Sequence, residues 1–172
     1  VNNVDPTATL SNDGPIFEGS SATISFTSQH DASGADTTAG FHYAYSCSNG
    51  DLSGATYAGT NGSTDSHQCP YADNGTYTVK ARIIDKDGGY TQYTTDVSVL
   101  NVPPAVTAAA DQSSDEGASH AFDLGSFSDA GVNDNPWHVT VAWGDGSPVT
   151  AFDTASQGPL GSMPHTYADG PS

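Results

Sequence analysis

The sequence predicts an all-β protein made of two copies of one strand-rich unit. Hydrophobic residues account for only 35% of the 172 residues, and there are 19 Gly and 10 Pro. No stretch shows the sustained i, i+3, i+4, i+7 apolar spacing of an amphipathic helix. Short segments instead alternate apolar and polar residues between turn-forming residues, which is the pattern of half-buried strands. Together with an internal repeat, this alternation decides the fold class.

The internal repeat is seen when the sequence is aligned with itself. Glu18 aligns with Glu116 at an offset of 98 residues, and after a two-residue deletion Tyr71 aligns with Tyr167 at an offset of 96. The matches fall on turn and corner residues, where local geometry restricts the choice of side chain. The predicted boundaries are 1–4 for the end of a preceding repeat or linker, 5–101 for the first unit and 102–172 for the second.

Strand patterns are clearest in the first copy. Residues 22–26, 41–45, 77–83 and 93–99 each alternate apolar and polar side chains, and 85–89 reads as a hairpin turn. In the third segment Tyr77, Val79, Ala81 and Ile83 are expected to face inward, and Thr78, Lys80 and Arg82 to face water. About seven short strands per copy predict an immunoglobulin-like β-sandwich.

The second copy is predicted to be incomplete. At the 96-residue offset Ser172 aligns with Thr76, so the positions of strands F and G, 77–101 in the first copy, have no counterpart. Two explanations are open. The chain is an excerpt from a longer tandem array, which we favour, or another molecule supplies the missing strands.

Four short motifs together resemble those of the PKD domain, an immunoglobulin-like module. They are GTYTV at 75–79, DKDGG at 85–89, WGDGS at 143–147 and HTYAD at 165–169. The residues matched to the family's structural motif are Tyr71, Trp143, Asp145, His165 and Tyr167. The first copy departs from the pattern, because it has SNGD at 48–51 and CPY at 69–71 where the second copy has the Gly-Asp-Gly turn and His-Thr-Tyr.

The resemblance implies a fold and a class of function. PKD-like domains occur in tandem in large prokaryotic surface proteins, which implies a non-catalytic structural or interaction module of a stalk, adhesin or extracellular filament. Its partners would be neighbouring copies or repeats of the same protein, and a cell-surface or polymer ligand. The alternative is an accessory substrate-binding module of a secreted hydrolase, for which the candidate exposed aromatics are Tyr43, Tyr45, Tyr90 and Tyr93.

The two cysteines are predicted to form a disulfide. Cys47 aligns with Trp143 and Cys69 with His165, and Trp143 has the strand parity of an inward-facing residue near the His-Thr-Tyr corner. A disulfide in the first copy would replace that side-chain contact, and it would imply an oxidising, extracytoplasmic compartment. The alternative is a pair of buried free thiols.

Carboxylates are predicted to converge at one end of the first sandwich. An immunoglobulin-like topology brings the entering linker, the B–C loop and the F–G turn to the same pole. The candidate oxygen ligands for Ca²⁺ there are Asn3, Asp5, Asp31, Asp36, Asp85 and Asp87. Asp129 and Asp134 are the candidates in the second copy. The alternative is that these residues only form turns, which we favour for 85–89.

Charge excludes several classes of function. Three basic residues against twenty acidic ones give a net charge of −17, which repels nucleic-acid phosphates and anionic lipid surfaces. No apolar run predicts a membrane span. No histidine spacing predicts a zinc site, and no nucleophile elbow is present, so the sequence predicts no enzyme.

Overall fold

The computed structural model describes residues 2–168. The chain divides into two compact units, residues 1–101 and residues 102–172, called unit 1 and unit 2 below. Within the described range, no helix has the length and apolar character needed to cross a membrane.

Unit 1 is a sandwich of two β-sheets. Its strands are β1 (Thr7–Asn12), β2 (Ile16–Phe17), β3 (Ser20–His30), β4 (His42–Ser46), β5 (Ser66–Tyr71), β6 (Gly75–Ile84) and β7 (Tyr90–Leu100). One sheet has the order β1-β3-β5 and the other the order β2-β7-β6-β4. All pairs are antiparallel except β2 with β7. The predicted seven strands of the first copy are therefore present.

The core of unit 1 lies between these two sheets and follows the predicted alternation. Ile24, Val79, Ala81 and Ile83 have no exposed surface, and Phe26 is 2% exposed. The Phe26 ring packs on the tyrosine rings of β4 and β7. The period of two therefore assigned the inner face of these strands correctly.

Arg82 is a correction to the sequence prediction. It lies on the outer side of β6, as the alternation predicts, but it is only 7% exposed rather than facing water. The Tyr90 ring lies 4.1 Å from its guanidinium carbon, and its Nε donates a hydrogen bond to Gln92 Oε1. A cross-strand aromatic ring covers the guanidinium, and strand parity alone does not predict this loss of exposure.

A short helix interrupts the predicted all-β pattern of unit 1. Helix α1 (Gly34–Ala39) lies in the loop between β3 and β4. The Ser33 side chain accepts a hydrogen bond from Asp36 N at the start of the helix, and Gly40 ends it at φ 85°. Six residues are too few for an apolar period to be recognised, but this turn places Asp36. A second short element, a 3₁₀ turn at Ala58–Thr60, follows β4.

Unit 2 contains shorter strands arranged in smaller sheets. They are β8 (Ala105–Thr107), β9 (Ser119–Asp123), β10 (Ser126–Ser128), β11 (Trp137–Val141), β12 (Thr150–Thr154), β13 (Gly158–Pro159) and β14 (Ser162–Thr166). The sheet orders are β13-β10-β8, β11-β12 and β14-β9. By the repeat offsets β8 corresponds to β1, β9 and β10 to β3, β11 to β4 and β14 to β5.

Unit 2 buries less apolar surface than unit 1. Among its described residues, the hydrophobic side chains that are buried are Phe122 and Phe127, at 8% and 6% exposure. Val106, Val132 and Val149 remain more than half exposed. At the 96-residue offset Ala168 corresponds to Ala72, so the described residues stop before the positions that β6 and β7 occupy in unit 1.

Candidate functional site

The corner between β4 and β5 in unit 1 is closed by a disulfide. Cys47 and Cys69 are bonded with a Cα–Cα distance of 5.4 Å, and Cys69 has no exposed surface. The Tyr71 hydroxyl donates a hydrogen bond of 3.1 Å to the carbonyl of Cys47. The covalent bond and the tyrosine hydrogen bond therefore tie the end of β5 to the end of β4.

The equivalent corner of unit 2 is closed by stacked rings. The His165 imidazole lies 4.3 Å from the Trp143 ring with only 3° between the planes. The Tyr167 hydroxyl donates a 3.1 Å hydrogen bond to the carbonyl of Trp143, which repeats the bond that Tyr71 makes in unit 1. The two corners share the tyrosine hydrogen bond and differ in the side-chain pair beside it.

Asp145 contacts the edge of the His165 ring, whose face stacks on Trp143. Its Oδ2 lies 2.9 Å from His165 Nε2, and its Oδ1 accepts hydrogen bonds from the backbone N–H and hydroxyl of Ser147. The hydrogen bonds from Ser147, followed by the one from His165, hold the pKa of the Asp145 carboxyl well below its usual range. The Gly-Asp-Gly turn of the sequence motif thus positions the imidazole on the indole.

Unit 1 also contains a cluster of three buried carboxylates, which we call the acidic pole of unit 1. Asp31, Asp36 and Asp85 are 6%, 1% and 0% exposed, and one carboxylate oxygen from each lies within 4.8 Å of the others. They come from the β3–β4 loop, helix α1 and the β6–β7 turn. Buried carboxylates this close repel one another unless a cation or hydrogen-bond donors compensate their charge.

Asp85 is compensated by hydrogen bonds. Its Oδ1 accepts the N–H groups of Asp87 and Gly89, each at 2.9 Å, and its Oδ2 accepts a 2.9 Å bond from the Asn3 side-chain amide. The backbone at Gly89 approaches closely: a Cβ there would lie 2.5 Å from both Asn3 Nδ2 and Asp85 Oδ2, and 2.9 Å from Asp5 Oδ1. A larger residue at this position would push these side chains apart, and the Asn3 hydrogen bond holds the entering segment against the β6–β7 turn.

Asp36 is compensated by an ion pair. Lys86 Nζ lies 2.9 Å from Asp36 Oδ1 and 2.6 Å from Asp87 Oδ2. The Lys86 ammonium, more than the Ser33 hydroxyl, lowers the pKa of the Asp36 carboxyl, and the carboxylates of Asp87 and Asp36 raise the pKa of Lys86. The sequence holds no signal for this lysine, because the hairpin pattern at 85–89 depends on its Asp and Gly residues alone.

Asp31 is compensated on one oxygen. Its Oδ1 accepts a 2.7 Å hydrogen bond from Ser33 N, but its buried Oδ2 has no hydrogen-bond donor within the described part of the chain. Opposite ligands of a Ca²⁺ ion are about 4.8 Å apart, because each oxygen lies about 2.4 Å from the metal. The three carboxylates therefore lie within the largest spacing that one calcium shell allows, and Asp31 Oδ2 is an oxygen that a cation could take.

The other predicted ligands divide into two groups. Asn3, Asp5 and Asp87 lie at the acidic pole. In unit 2, Asp129 uses its two oxygens for Trp137 Nε1 and Gly131 N, at 2.8 Å and 3.1 Å, and Asp134 is half-buried. Asp129 thus has a structural role within unit 2, where its carboxylate fixes the Trp137 indole.

No family model matches the sequence, and no curated protein matches it. Among solved structures the chain is similar to the PKD1 domain of Vibrio anguillarum Epp, with 24% identity and a TM-score of 0.38. The match covers 58% of this chain and the whole of that domain.

Proposed function

We propose that this chain is a non-catalytic structural module of an extracellular protein, forming part of a stalk, adhesin or filament built from tandem immunoglobulin-like domains. The observation that carries the proposal is the Cys47–Cys69 disulfide inside a seven-stranded sandwich. Such bonds persist in oxidising compartments outside the cytoplasm. Its role is mechanical: the disulfide-bonded domain is stiff and holds a distal part of the protein away from the cell surface.

The surface charge supports this role. A net charge of −17 on 172 residues keeps neighbouring copies apart and soluble. It disfavours nucleic-acid and anionic-membrane partners, which leaves other repeats of the same protein and a surface or polymer ligand as the partner classes.

The acidic pole supports a mechanical role through a bound cation. Ca²⁺ held by Asp31, Asp36 and Asp85 would offset two of the three buried negative charges and lock the β3–β4 loop to the β6–β7 turn. Asn3 already bonds to Asp85, and Asp5 lies beside Gly89. The ion would therefore also stiffen the segment that enters the sandwich, which is the segment that transmits force along a tandem array.

Calcium binding is tested by calorimetric unfolding of the protein in Ca²⁺, in Mg²⁺ and in chelator. At a Ca²⁺ concentration 100-fold above Kd, the unfolding free energy of unit 1 should rise by about 2.7 kcal/mol. Asp31→Asn should abolish most of this rise, because it removes the carboxylate with an unpartnered oxygen. Asp115→Asn, at an exposed position in unit 2, is the matched control and should leave it unchanged.

Unit 2 provides an internal reference for this experiment. The two tryptophans of the chain, Trp137 and Trp143, both lie in unit 2, so tryptophan fluorescence follows that unit alone. Calcium should move the calorimetric transition of unit 1 and leave the fluorescence transition in place. Equal stability in Ca²⁺ and chelator, or an equal rise in Mg²⁺, would contradict a calcium site; the structural role would then depend on the disulfide alone.

The alternative, an accessory module for an insoluble substrate, has weaker support in the side chains. Tyr43 is buried, and Tyr45 and Tyr93 pack against the core cluster that contains Phe26. Tyr90 is 44% exposed but its ring covers Arg82. These tyrosines do not form the exposed aromatic strip that such binding requires.

Electron microscopy of the native assembly distinguishes the two functions. Extended rods or fibres whose repeat equals one or two sandwich lengths are expected for a stalk or filament. Compact secreted particles, together with retention of the purified protein on insoluble polysaccharide or collagen, would overturn the structural role in favour of the accessory one.

A further inference from the structure

Two sulfur atoms and one imidazole lie close together at the disulfide corner of unit 1. A ring nitrogen of His67 and the Sγ atoms of Cys47 and Cys69 lie within 4.8 Å of one another. His67 and Cys69 lie on β5 with one residue between them, so their side chains share one face of that strand. Histidine spacing in the sequence does not predict this cluster, because Cys47 precedes Cys69 by 22 residues and follows a different strand.

The imidazole of His67 is oriented by a neighbouring ring. The Tyr45 ring lies 5.0 Å from it, with 12° between the two planes, and the Tyr45 hydroxyl donates a 3.1 Å hydrogen bond to the carbonyl of Thr64. Stacking uses the face of the imidazole and leaves the two nitrogens at its edge for another partner. Because His67 is exposed and Cys47 is half-buried, a cation can reach the cluster from solvent.

The equivalent positions of unit 2 hold a different set of side chains. At the repeat offset of 96 residues they are Trp143, Met163 and His165. An indole and a thioether provide no thiolate, and the His165 imidazole already contacts Asp145. The cluster is therefore a property of unit 1 rather than of the repeat, and unit 2 serves as an internal reference.

The unit 1 corner also has contacts that do not involve the S–S bond. The Tyr71 hydroxyl donates its 3.1 Å hydrogen bond to the backbone carbonyl of Cys47. Cys69 and Tyr71 pack in one core cluster with Ala22 and Val79. These contacts keep the two cysteines near each other when the S–S bond is broken. Thiols are the ordinary state of cysteines in a newly made chain, because the cytoplasm keeps them reduced.

From this geometry we infer that the reduced corner is a zinc site, in which the thiolates of Cys47 and Cys69 and the imidazole of His67 bind one Zn²⁺ and water completes the shell. Thiolate sulfur and imidazole nitrogen are ligands that zinc prefers, at about 2.3 Å and about 2.0 Å. Two sulfurs of one tetrahedral zinc are thus about 3.8 Å apart, and breaking the S–S bond lets the sulfurs separate to this spacing. Binding converts two thiols to thiolates and releases two protons.

Zinc and the disulfide are then alternative cross-links of one corner. A small disulfide oxidant would take two electrons from the thiolates of Cys47 and Cys69 and become two thiols, as the S–S bond forms and Zn²⁺ leaves. A dithiol would reverse the reaction and become a disulfide itself. The inference does not depend on a cation at the acidic pole, whose oxygen ligands suit a harder ion than thiolates do.

The test uses Co²⁺ as a spectroscopic substitute for zinc in the full chain. The protein is reduced by a phosphine, which becomes the phosphine oxide, and is freed of metal. One equivalent of Co²⁺ should then give thiolate-to-cobalt absorption in the near ultraviolet and the visible bands of a tetrahedral ion, and Zn²⁺ should abolish both. The oxidised chain should give no thiolate band even where carboxylates bind cobalt, because carboxylates provide no sulfur.

A pair of histidine variants tests the third ligand. His67→Gln should weaken zinc binding by about 100-fold or more, since loss of a partner that only orients a metal ligand already costs about 10- to 100-fold. His30→Gln changes another exposed histidine of unit 1, at the end of β3, and is the matched control. It should leave zinc binding unchanged.

Calorimetry of the same samples follows the folding of unit 1. Zn²⁺ should raise the unit 1 transition of the reduced chain, or restore it where reduction has unfolded the unit, and leave the tryptophan fluorescence transition of unit 2 in place. Three results would overturn the inference. They are a reduced chain with two titratable thiols but neither cobalt bands nor a zinc-dependent transition, equal zinc affinity with and without His67, and a ratio of two chains for each ion.

Discussion

The equivalent corners of unit 1 and unit 2 are filled by different side-chain pairs. In unit 1 the positions after β4 and within β5 hold Cys47 and Cys69, joined covalently, and in unit 2 the equivalent positions hold Trp143 and His165, stacked ring on ring. The tyrosine bond beside each pair is the same, at 3.1 Å in both. Either side-chain pair is therefore compatible with the tyrosine hydrogen bond, and the stability of the corner depends on different chemistry in each unit.

The two units also differ in how far their cores are covered. Ile24, Val79 and Val97 of unit 1 have no exposed surface, whereas Val106 of unit 2 is 71% exposed. A covered core stabilises its unit by roughly 25 cal/mol for each Å² of apolar surface removed from water. The difference indicates that the apolar core contributes more to the stability of unit 1 than to that of unit 2.

The largest expected effect is the loss of the disulfide. Replacing Cys47 and Cys69 together by Ala should lower the unfolding free energy of unit 1 by about 3 kcal/mol, because closing a loop of this length restricts the unfolded chain. Calorimetry should show the unit 1 transition at lower temperature, while the fluorescence transition of Trp143 stays in place. An equal shift of both transitions would mean that the two units unfold together.

A smaller effect is expected from a matched pair of core truncations. Val97→Ala removes two methyl groups from a side chain with no exposed surface and should cost about 2 kcal/mol. Val106→Ala makes the same change on a side chain that is 71% exposed and should cost less than about 0.5 kcal/mol. Urea unfolding measures both; a cost above 1 kcal/mol for Val106→Ala would show that the face is already covered in solution.

The sequence predicted the corners well because they depend on local geometry. The offset of 96 residues alone paired Cys47 with Trp143 and Cys69 with His165, and strand parity alone placed Val79 and Ile83 inside. It could not predict the burial of Arg82, which depends on the Tyr90 ring across the strand, or the ion pair of Lys86 with Asp36, which depends on a six-residue helix. These contacts join residues from separate elements, and no period in the sequence records them.

The smallest expected effect is acid sensitivity at the unit 2 corner. The pKa of the Asp145 carboxyl is lowered in the folded chain from an ordinary value of 3.8, so Asp145 contributes stability above that value and loses it as the pH falls further. The Trp143 fluorescence transition should therefore move to lower urea concentration between about pH 5 and pH 2, and Asp145→Asn should flatten this dependence while lowering stability at pH 7.

The pair of His138 and Asp153 provides the matched control in the same unit. Its nitrogen–oxygen distance is 2.8 Å, close to the 2.9 Å of His165 and Asp145, but its side chains are about two-thirds exposed whereas those of the corner pair are 13% and 23% exposed. Exposed pairs contribute little to stability, so Asp153→Asn should leave the pH dependence unchanged. If Asp153→Asn flattened the acid dependence as much as Asp145→Asn, the sensitivity would reflect general charge in unit 2 and not the geometry of the corner.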